Sequence, residues 1–302
     1  MNVLSLFDGI SCGQLALIRA AIKIDNYYAS EIKKYAIKVT QNNFPNTIQL
    51  GNVTKIKYKD GILYSENGLF NVGKIDILIG GSPCQNFSIA RACMYEIDGL
   101  KGDKSKLFYE YLRILKEVNP TYFLLENVKM KKESYEELNS YLGVNGILID
   151  SKLVSYQKRP RYYWTNIPNV TIPKDKHINF QDYKDIDYEY CKQFKVKRTP
   201  SRERMWNNGQ GRTNGIKSCS NITNSNKIYC LTRKQDRCPN SGLIEFDDFC
   251  RYLTRREIEL AQTLPIGYTD ELSYSQMQDV CGDGWTVDVL THIFKGLKEE
   301  DK

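Results

Sequence analysis

The stretch Ile75-Asp-Ile-Leu-Ile-Gly-Gly-Ser-Pro-Cys84-Gln85 joins a short aliphatic run to a tight turn and then to a cysteine. A continuous aliphatic run is typical of a strand buried on both faces of a parallel sheet. Glycine, serine and proline then turn and stiffen the chain. We therefore expect Cys84 just beyond the carboxyl end of a buried strand, where open α/β sheets bind ligands. The thiol is either a nucleophile or a buried structural cysteine, and this stretch alone favours neither.

Composition limits the classes of protein to consider. The chain has 302 residues, enough for one large domain and a smaller one, and its net charge of +7 favours a polyanionic partner. None of its nine cysteines forms a C-x-x-C pair. There is no secretory signal and no apolar run near the ~20 residues that span a bilayer. We therefore expect a cytoplasmic protein with reduced thiols and no membrane contact.

The amino-terminal segment predicts the first half of a nucleotide-binding βαβ unit. An apolar strand leads into Phe7-Asp-Gly-Ile-Ser-Cys-Gly13, and an apolar helix follows over residues 15–22. Glycines let the backbone approach a ligand, and a helix amino terminus favours negative charge. A second strand over residues 27–31 ends at Glu31, whose carboxylate is expected to accept hydrogen bonds from ribose hydroxyls. A solvated glutamate that opens the helix over residues 32–43 is the alternative.

The middle of the chain adds a second acidic strand end. The buried strand over residues 121–128 emerges on Glu126, which in a parallel sheet would reach the same edge as Cys84. Gln157-Lys-Arg-Pro-Arg161 then places two arginines before an aromatic strand. The remaining expected elements are a short strand over residues 47–54, a polar hairpin without evident chemistry over 57–73, an active-site loop over 85–103 and an amphipathic helix over 106–118.

From about residue 168 the composition changes. Residues 168–250 are rich in Asn, Lys, Arg, Ser and turn signals, so they form either a module that contacts nucleic-acid backbone or a solvated loop-rich region. Four of the cysteines in this region have long, irregular spacings that give little support to a zinc site: Cys219, Cys230, Cys238 and Cys250. Thr254 is expected to cap a helix that runs to residue 263, and the last helix is expected over residues 289–297.

Taken together, these motifs resemble the DNA (cytosine-5) methyltransferase family over nearly the whole chain and in family order. The residues of these motifs are most similar to those of the de novo enzymes and their phage and bacterial relatives. The matching motifs are Phe7–Gly13 for the S-adenosylmethionine turn, Gly81–Cys84 for the catalytic loop, Glu126–Val128 for cytosine reading, Gln157–Arg161 for the arginine motif, Arg256 to Pro265 for the penultimate motif and Gly282–Val287 for the last.

The resemblance implies an α/β fold: a Rossmann-like methyltransferase sheet with helices on both faces, plus a smaller loop-rich target-recognition domain. It implies a catalytic domain over residues 1–167 and 254–302, with target recognition over residues 168–253. The implied activity is methylation of carbon 5 of a cytosine flipped out of double-stranded DNA, with S-adenosylmethionine as donor. The implied catalytic residues are Cys84, Glu126, Arg159 and Arg161.

The resemblance also implies which residues hold S-adenosylmethionine, and it implies no metal. Two departures stand out: Asn52 replaces the family's usual Asp at the position that bonds the adenine amino group, and Asp283 adds a charge to the last motif. The Asn52 carbonyl oxygen can still accept a hydrogen bond. The implied cofactor-binding residues are Phe7, Asp8, Gly9, Ile10, Ser11, Cys12, Gly13, Glu31, Ile32, Asn52, Val53, Pro83, Leu107, Gly284, Trp285 and Thr286.

Two other functions remain open at this stage. One is methylation of cytosine in transfer RNA, although the Cys-Phe-Thr signature of that branch is absent. The other is a catalytically weak DNA-binding regulator that retains the fold, which Asn52 keeps open and which Cys84, Glu126 and Arg161 disfavour. We expect a monomer encoded by a bacterium or a phage.

Overall fold

A computed structural model describes residues 1–82, 106–197, 199–200, 212–213, 216–217, 221–233, 235, 241–246 and 248–298. Cys84, Pro83 and the loop predicted over residues 85–103 lie outside these ranges. The chain divides into two units. The first comprises Met1–Ile149, Pro160–Pro173 and Val287–Lys302, and the second comprises Asp150–Arg159 and Lys174–Thr286. Residues 254–286, which we expected with the catalytic domain, thus belong to the second unit.

A seven-stranded sheet forms the centre of the first unit. Its strands are β1 Asn2–Leu6, β2 Asn26–Ser30, β3 Ile48–Gln49, β7 Ile77–Gly80, β8 Tyr122–Val128, β9 Ile147–Asp150 and β10 Pro160–Thr165. Between β3 and β7 the chain forms a separate sheet of three strands, β4 Lys57–Lys59, β5 Ile62–Ser65 and β6 Gly68–Asn71. The order across the sheet is β3-β2-β1-β7-β8-β10-β9.

Strand direction determines which strand ends meet. β1 is parallel to β2 and to β7, and β7 is parallel to β8. β10 is antiparallel to β8, with Tyr163 opposite Glu126. The carboxyl ends of β1, β2, β7 and β8 therefore lie at one edge, and the start of β10 lies at the same edge because its direction is reversed. The α/β fold predicted from the sequence is confirmed.

Helices bury the sheet because its strands are apolar on both faces. Leu4, Leu6 and Leu78 are fully buried on the face that packs with side chains of the helices over 106–118 and 132–142. Val3, Ile77 and Ile79, which alternate with them, are equally buried. The helices of this unit are α1 Cys12–Arg19, α2 Lys34–Asn43, α3 Lys106–Val118, α4 Lys132–Leu142 and, from the end of the chain, Val287–Phe294, which packs on α1.

The segment predicted as a polar hairpin is a three-stranded antiparallel sheet, β4-β5-β6. Leu63 is fully buried, and Tyr58 packs against the same apolar core as α3. Arg113 of α3 donates to the Ile56 carbonyl oxygen at 2.8 Å, and Glu117 accepts from the Tyr58 N–H at 3.0 Å. This three-stranded sheet is therefore attached to α3 by polar contacts and to the apolar core of the first unit by Leu63 and Tyr58.

The second unit contains short elements. After α5 Tyr188–Lys192 come the two-residue strands β11 Arg212–Thr213, β12 Ile216–Lys217, β13 Ile244–Glu245 and β14 Cys250–Arg251, then α6 Arg255–Ala261 and α7 Tyr274–Asp283, which makes Val287–Phe294 helix α8. The expected cap of α6 is confirmed, because Thr254 and Glu257 form a capping box. Glu257 also pairs with Arg251 at 2.7 Å, and both side chains are fully buried. Within the described residues, no helix is both long and apolar enough to cross a bilayer.

Candidate active site

The turn after β1 places backbone, rather than side chains, at the carboxyl edge of the sheet. Phe7, Gly9 and Ser11 all have positive φ, at 58°, 61° and 55°, so the chain reverses tightly before α1 begins at Cys12. Ile10, Ser11 and Cys12 are buried. This geometry suits a ligand that approaches the main chain and the amino terminus of α1.

Asp8, expected at the cofactor, turns its carboxyl group into the protein. The residue is 5% exposed, and the Tyr27 hydroxyl donates to its Oδ1 at 2.8 Å. The Ser11 hydroxyl donates to its Oδ2, and the Asp8 N–H donates to the Ser30 carbonyl oxygen at 3.0 Å. Burial raises the pKa of Asp8 above its ordinary value. Asp8 therefore holds the turn against β2 through these hydrogen bonds.

Glu31 lies at the end of β2 with its carboxylate anchored by main-chain donors. Its Oε2 accepts from the Gly9 N–H at 2.9 Å, and its Oε1 accepts from the N–H groups of Ile32 and Lys33 at 2.7 and 2.8 Å. The partly buried carboxylate is thus fixed beside the glycine turn. Next to it, the Ile32 side chain is 68% exposed, which leaves an apolar surface at the edge of the sheet.

The turn after β3 carries Asn52 and is braced by the hairpin. The Asn52 side chain caps the short 3₁₀-helix Val53–Lys55, and its Oδ1 accepts from the Thr54 N–H at 3.0 Å. Glu66, on the turn between β5 and β6, accepts from the Asn52 N–H through Oε1 at 2.7 Å. The Glu66 side chain covers Gly51, which has a φ of 78° and no room for a Cβ. No local sequence pattern indicates this contact, because Glu66 lies in a turn of ordinary polar composition.

The end of β7 leads toward Cys84 and is tied to the neighbouring strand. Ser82, the last described residue before the cysteine, is 4% exposed, and the Asn127 amide donates to its hydroxyl at 3.2 Å. A Cβ on Gly80 would lie 2.9 Å from the Tyr111 ring, so glycine is required for α3 to pack here. Leu107, expected at the cofactor, packs against the core from the first turn of α3.

Glu126 and Arg161 form an ion pair at the same edge. Arg161 Nε lies 3.0 Å from Glu126 Oε1, and the two side chains are 13% and 10% exposed. Arg161 also donates to the Pro160 carbonyl oxygen at 2.9 Å through Nη1. The pair forms because the start of β10 lies beside the end of β8. The structure thus brings together two of the residues that the sequence analysis placed at the reaction centre.

Arg159, two residues before Arg161, belongs to the second unit and is 3% exposed. Its Nη2 donates to the carbonyl oxygens of Gly282 and Gly284 at 3.2 and 2.8 Å. Its Nη1 lies 3.3 Å from the Leu231 carbonyl oxygen. The guanidinium therefore fixes the turn at the start of the last sequence motif.

A buried polar network extends this contact within the second unit. Gln262 donates to the Gly284 carbonyl oxygen at 3.2 Å and accepts from the Thr286 hydroxyl at 2.8 Å. The Ser151 hydroxyl donates to Thr286 Oγ1 at 2.8 Å, and Gln157 donates to Gln262 Oε1 at 3.2 Å. Three motifs thus meet in one hydrogen-bonded cluster, and the first of them lies about a hundred residues before the other two.

The last residues of this motif are buried, whereas Asp283 is exposed. Trp285 is 6% exposed and Thr286 is 1% exposed. Asp283, whose charge departs from the family pattern, lies at the end of α7, where Arg233 Nη2 is 3.5 Å from its Oδ2. Arg233 also pairs with Asp279. Among the described residues, no group of His, Cys, Asp and Glu side chains is arranged to hold a metal ion.

Comparisons with known proteins identify the family of the chain. A family model described as C-5 cytosine-specific DNA methylase matches residues 1–299. The orphan methyltransferase M.Rho11sI of Bacillus phage rho11s is 30% identical over 201 residues, 62% of this chain and 37% of that protein. The orphan methyltransferase M.SPRI of Bacillus phage SPR is 34% identical over 191 residues, 58% of this chain and 40% of that protein. The matched part of the chain thus spans about two fifths of the length of these relatives.

A solved structure supports the fold. The Entamoeba histolytica methyltransferase EhMeth is similar with a TM-score of 0.72 at 18% identity, and the match covers 100% of this chain and 99% of that one. The family predicted from the motifs is confirmed, because the family model extends over almost the whole sequence. This protein belongs to the C-5 cytosine-specific DNA methylase family.

Proposed function

We propose that this protein transfers a methyl group from S-adenosylmethionine to carbon 5 of a cytosine flipped out of double-stranded DNA. The observation that carries the proposal is the pair between Glu126 and Arg161, 3.0 Å apart at the end of β8. Ser82, two residues before Cys84, accepts a hydrogen bond from Asn127 of that strand. A carboxylate and a guanidinium on neighbouring strands, together with the thiol that follows β7 in the sequence, are the groups that addition to a pyrimidine requires.

The first two strand ends fit the cofactor. Glu31 is a carboxylate fixed beside the Gly9 turn, and it suits the ribose hydroxyls in the way that acids after β2 do in nucleotide-binding sheets. The exposed Ile32 side chain offers an apolar surface to the flat adenine ring. The amino terminus of α1 favours the methionine carboxylate. When bound, S-adenosylmethionine supplies an electrophilic methyl group on its sulfonium sulfur.

The chain's own residues then make the cytosine reactive. The Cys84 thiolate adds to carbon 6, which makes carbon 5 nucleophilic enough to take the methyl group. Glu126 holds ring nitrogen 3 and the exocyclic amine, and it shares a proton with the ring as negative charge develops. Arg161 orients Glu126 and the base. Loss of the carbon 5 proton expels the Cys84 thiolate and restores the aromatic ring as 5-methylcytosine.

We assign Arg159 to the second unit's framework, where its guanidinium holds the Gly282–Gly284 turn ahead of Trp285 and Thr286. This assignment replaces the catalytic role that the sequence motif implies. Residues 168–253 are proposed to read the DNA around the target, since the chain's net charge of +7 favours phosphate contacts. The cytosine must leave the duplex because both faces of its ring take part in the reaction.

Methyl transfer from labelled S-adenosylmethionine tests the proposal. The substrates are mixed-sequence duplex DNA and total transfer RNA, and the proteins are the wild type, Cys84→Ser and Cys93→Ser. Cys93→Ser is the matched control, because it makes the same change nine residues further along the chain. We expect label in DNA with the wild type and with Cys93→Ser, and none with Cys84→Ser, which should still bind S-adenosylhomocysteine.

Other outcomes identify the alternatives. Label in transfer RNA but not in DNA would assign the RNA substrate. Binding to duplex DNA without label in either nucleic acid would assign a regulator that retains the fold. In a host cell that expresses the protein, sequencing of modified cytosines would identify the target site directly.

A further inference from the structure

Asn52 has four polar groups, and three of them form hydrogen bonds within its own turn or with Glu66. Its N–H donates to Glu66 Oε1 at 2.7 Å, and its carbonyl oxygen accepts from the Lys55 N–H at 2.9 Å. Its side-chain Oδ1 accepts both from the Thr54 N–H and from the Thr54 hydroxyl, each at 3.0 Å. Among the described residues, none makes a hydrogen bond with the Asn52 side-chain nitrogen.

The orientation of this amide is determined by chemistry. A backbone N–H can only donate, so the side-chain atom that faces Thr54 N has to be the oxygen. The second lone pair of that oxygen is taken by the Thr54 hydroxyl. The NH₂ group therefore points away from the cap. An aspartate at this position would differ, because one carboxylate oxygen could cap Thr54 while the other accepted a hydrogen bond from a ligand.

The strand order indicates which part of a ligand Asn52 meets. β3 lies beside β2, and the residues after their carboxyl ends are Asn52 and Glu31. In the proposed function the Glu31 carboxylate binds the ribose, so the group attached to the ribose extends to the next strand end. That group is the nucleobase. This step rests on the proposed function, since it requires a nucleoside at this edge of the sheet.

We propose that Asn52 presents only a hydrogen-bond donor to the nucleobase, so that the 6-amino group of adenine is not recognised at this position. An amino group is itself a donor, and it finds no acceptor in an NH₂ group. Affinity for the cofactor then comes from the ribose, the methionine portion and apolar contact with the base. This site thus differs from one in which a carboxylate selects adenine.

The test compares two ligands and three proteins by isothermal titration calorimetry without DNA. The ligands are S-adenosylhomocysteine and its analogue with unsubstituted purine, which lacks the 6-amino group. The proteins are the wild type, Asn52→Asp and Asn46→Asp, an exposed position before β3 where the same charge is added. The quantity to compare is the ratio of the two dissociation constants for each protein, because general effects of the added charge cancel in the ratio.

We expect the wild type and Asn46→Asp to bind the two ligands within about threefold, since no acceptor is lost with the amino group. Asn52→Asp should favour S-adenosylhomocysteine by about tenfold or more, because its free carboxylate oxygen accepts from that group. A wild type that favours S-adenosylhomocysteine by tenfold overturns the inference, and so does an Asn52→Asp protein without preference. If neither ligand binds any of the proteins, the proposed function itself fails.

Discussion

Arg161 and Glu126 form an ion pair of 3.0 Å across the antiparallel strands β10 and β8, at the edge where the parallel strands end. Their Cα positions are offset, since Arg161 stands opposite Val128 and Glu126 stands opposite Tyr163. The long arginine side chain spans that offset. The pair is shielded enough from solvent for its charges to interact strongly, and it orients the carboxylate before a substrate arrives.

The first prediction concerns Glu126→Gln, which keeps the shape of the side chain and removes its charge. We expect methyl transfer to fall by about a hundredfold or more, because proton sharing with the base is lost. Binding of S-adenosylhomocysteine should be unchanged. Single-turnover transfer and calorimetry measure the two effects, with Glu133→Gln on the exposed side of α4 as the control. An equal loss of cofactor affinity would place Glu126 in the cofactor pocket.

Arg159→Met tests the assignment of that arginine to the framework. The change removes the guanidinium donors to the buried carbonyl oxygens of Leu231, Gly282 and Gly284, while Gln262 continues to donate to Gly284. We therefore expect the free energy of unfolding to fall by about 2–4 kcal/mol. Urea denaturation measures it, and Lys158→Met, an exposed neighbour in the chain, should change it by less than about 0.5 kcal/mol. If Arg159→Met lost methyl transfer and kept normal stability, Arg159 would instead act at the reaction centre.

A third prediction concerns the hairpin, for which the sequence indicated no chemistry. Glu66→Ala removes the acceptor for the Asn52 N–H and should weaken binding of S-adenosylhomocysteine by about three- to tenfold. Glu66→Gln should bind normally, because its amide oxygen can accept the same hydrogen bond. Calorimetry on the three proteins measures the effect. Equal affinity in all of them would show that the hairpin does not support the cofactor site.

The buried carboxyl group of Asp8 predicts a dependence of stability on pH. Because burial raises its pKa in the folded protein above the ordinary value of 3.8, the folded state holds the proton more tightly than the unfolded state. The advantage of the protonated group is complete below that ordinary value, and it is lost as pH rises through the native pKa.

Asp8→Asn removes this titration while it keeps an oxygen acceptor. The difference in unfolding free energy between the two proteins should therefore shift in favour of Asp8→Asn as pH rises above 3.8. Urea denaturation over a series of pH values measures the difference, in which the other carboxyl groups cancel. A difference that is constant with pH, or that shifts in favour of the wild type, would contradict the buried state of Asp8.

The order of the motifs along the chain identified the family. Each motif follows a particular strand of the shared fold, so members of one family carry the motifs in the same order. Gly9, Glu31 and Glu126 each come directly after or within a buried strand, so periodicity and turn residues alone locate them at strand ends. Parallel pairing then brings such ends to one edge. The helix over residues 106–118 was predicted with its observed bounds, because its apolar positions repeat at helical spacing.

Other features depend on distances through space that no local pattern encodes. Arg159 and Arg161 are two residues apart in one motif, yet the chain passes from one unit to the other between them, so their guanidinium groups have different partners. Glu66 reaches Asn52 only because the hairpin folds back on the turn after β3. Residue types and spacing therefore determined the family and its strand ends. Side-chain partners were decided by folding, since a hydrogen bond depends on atoms that meet within about 3 Å, whatever their separation in the chain.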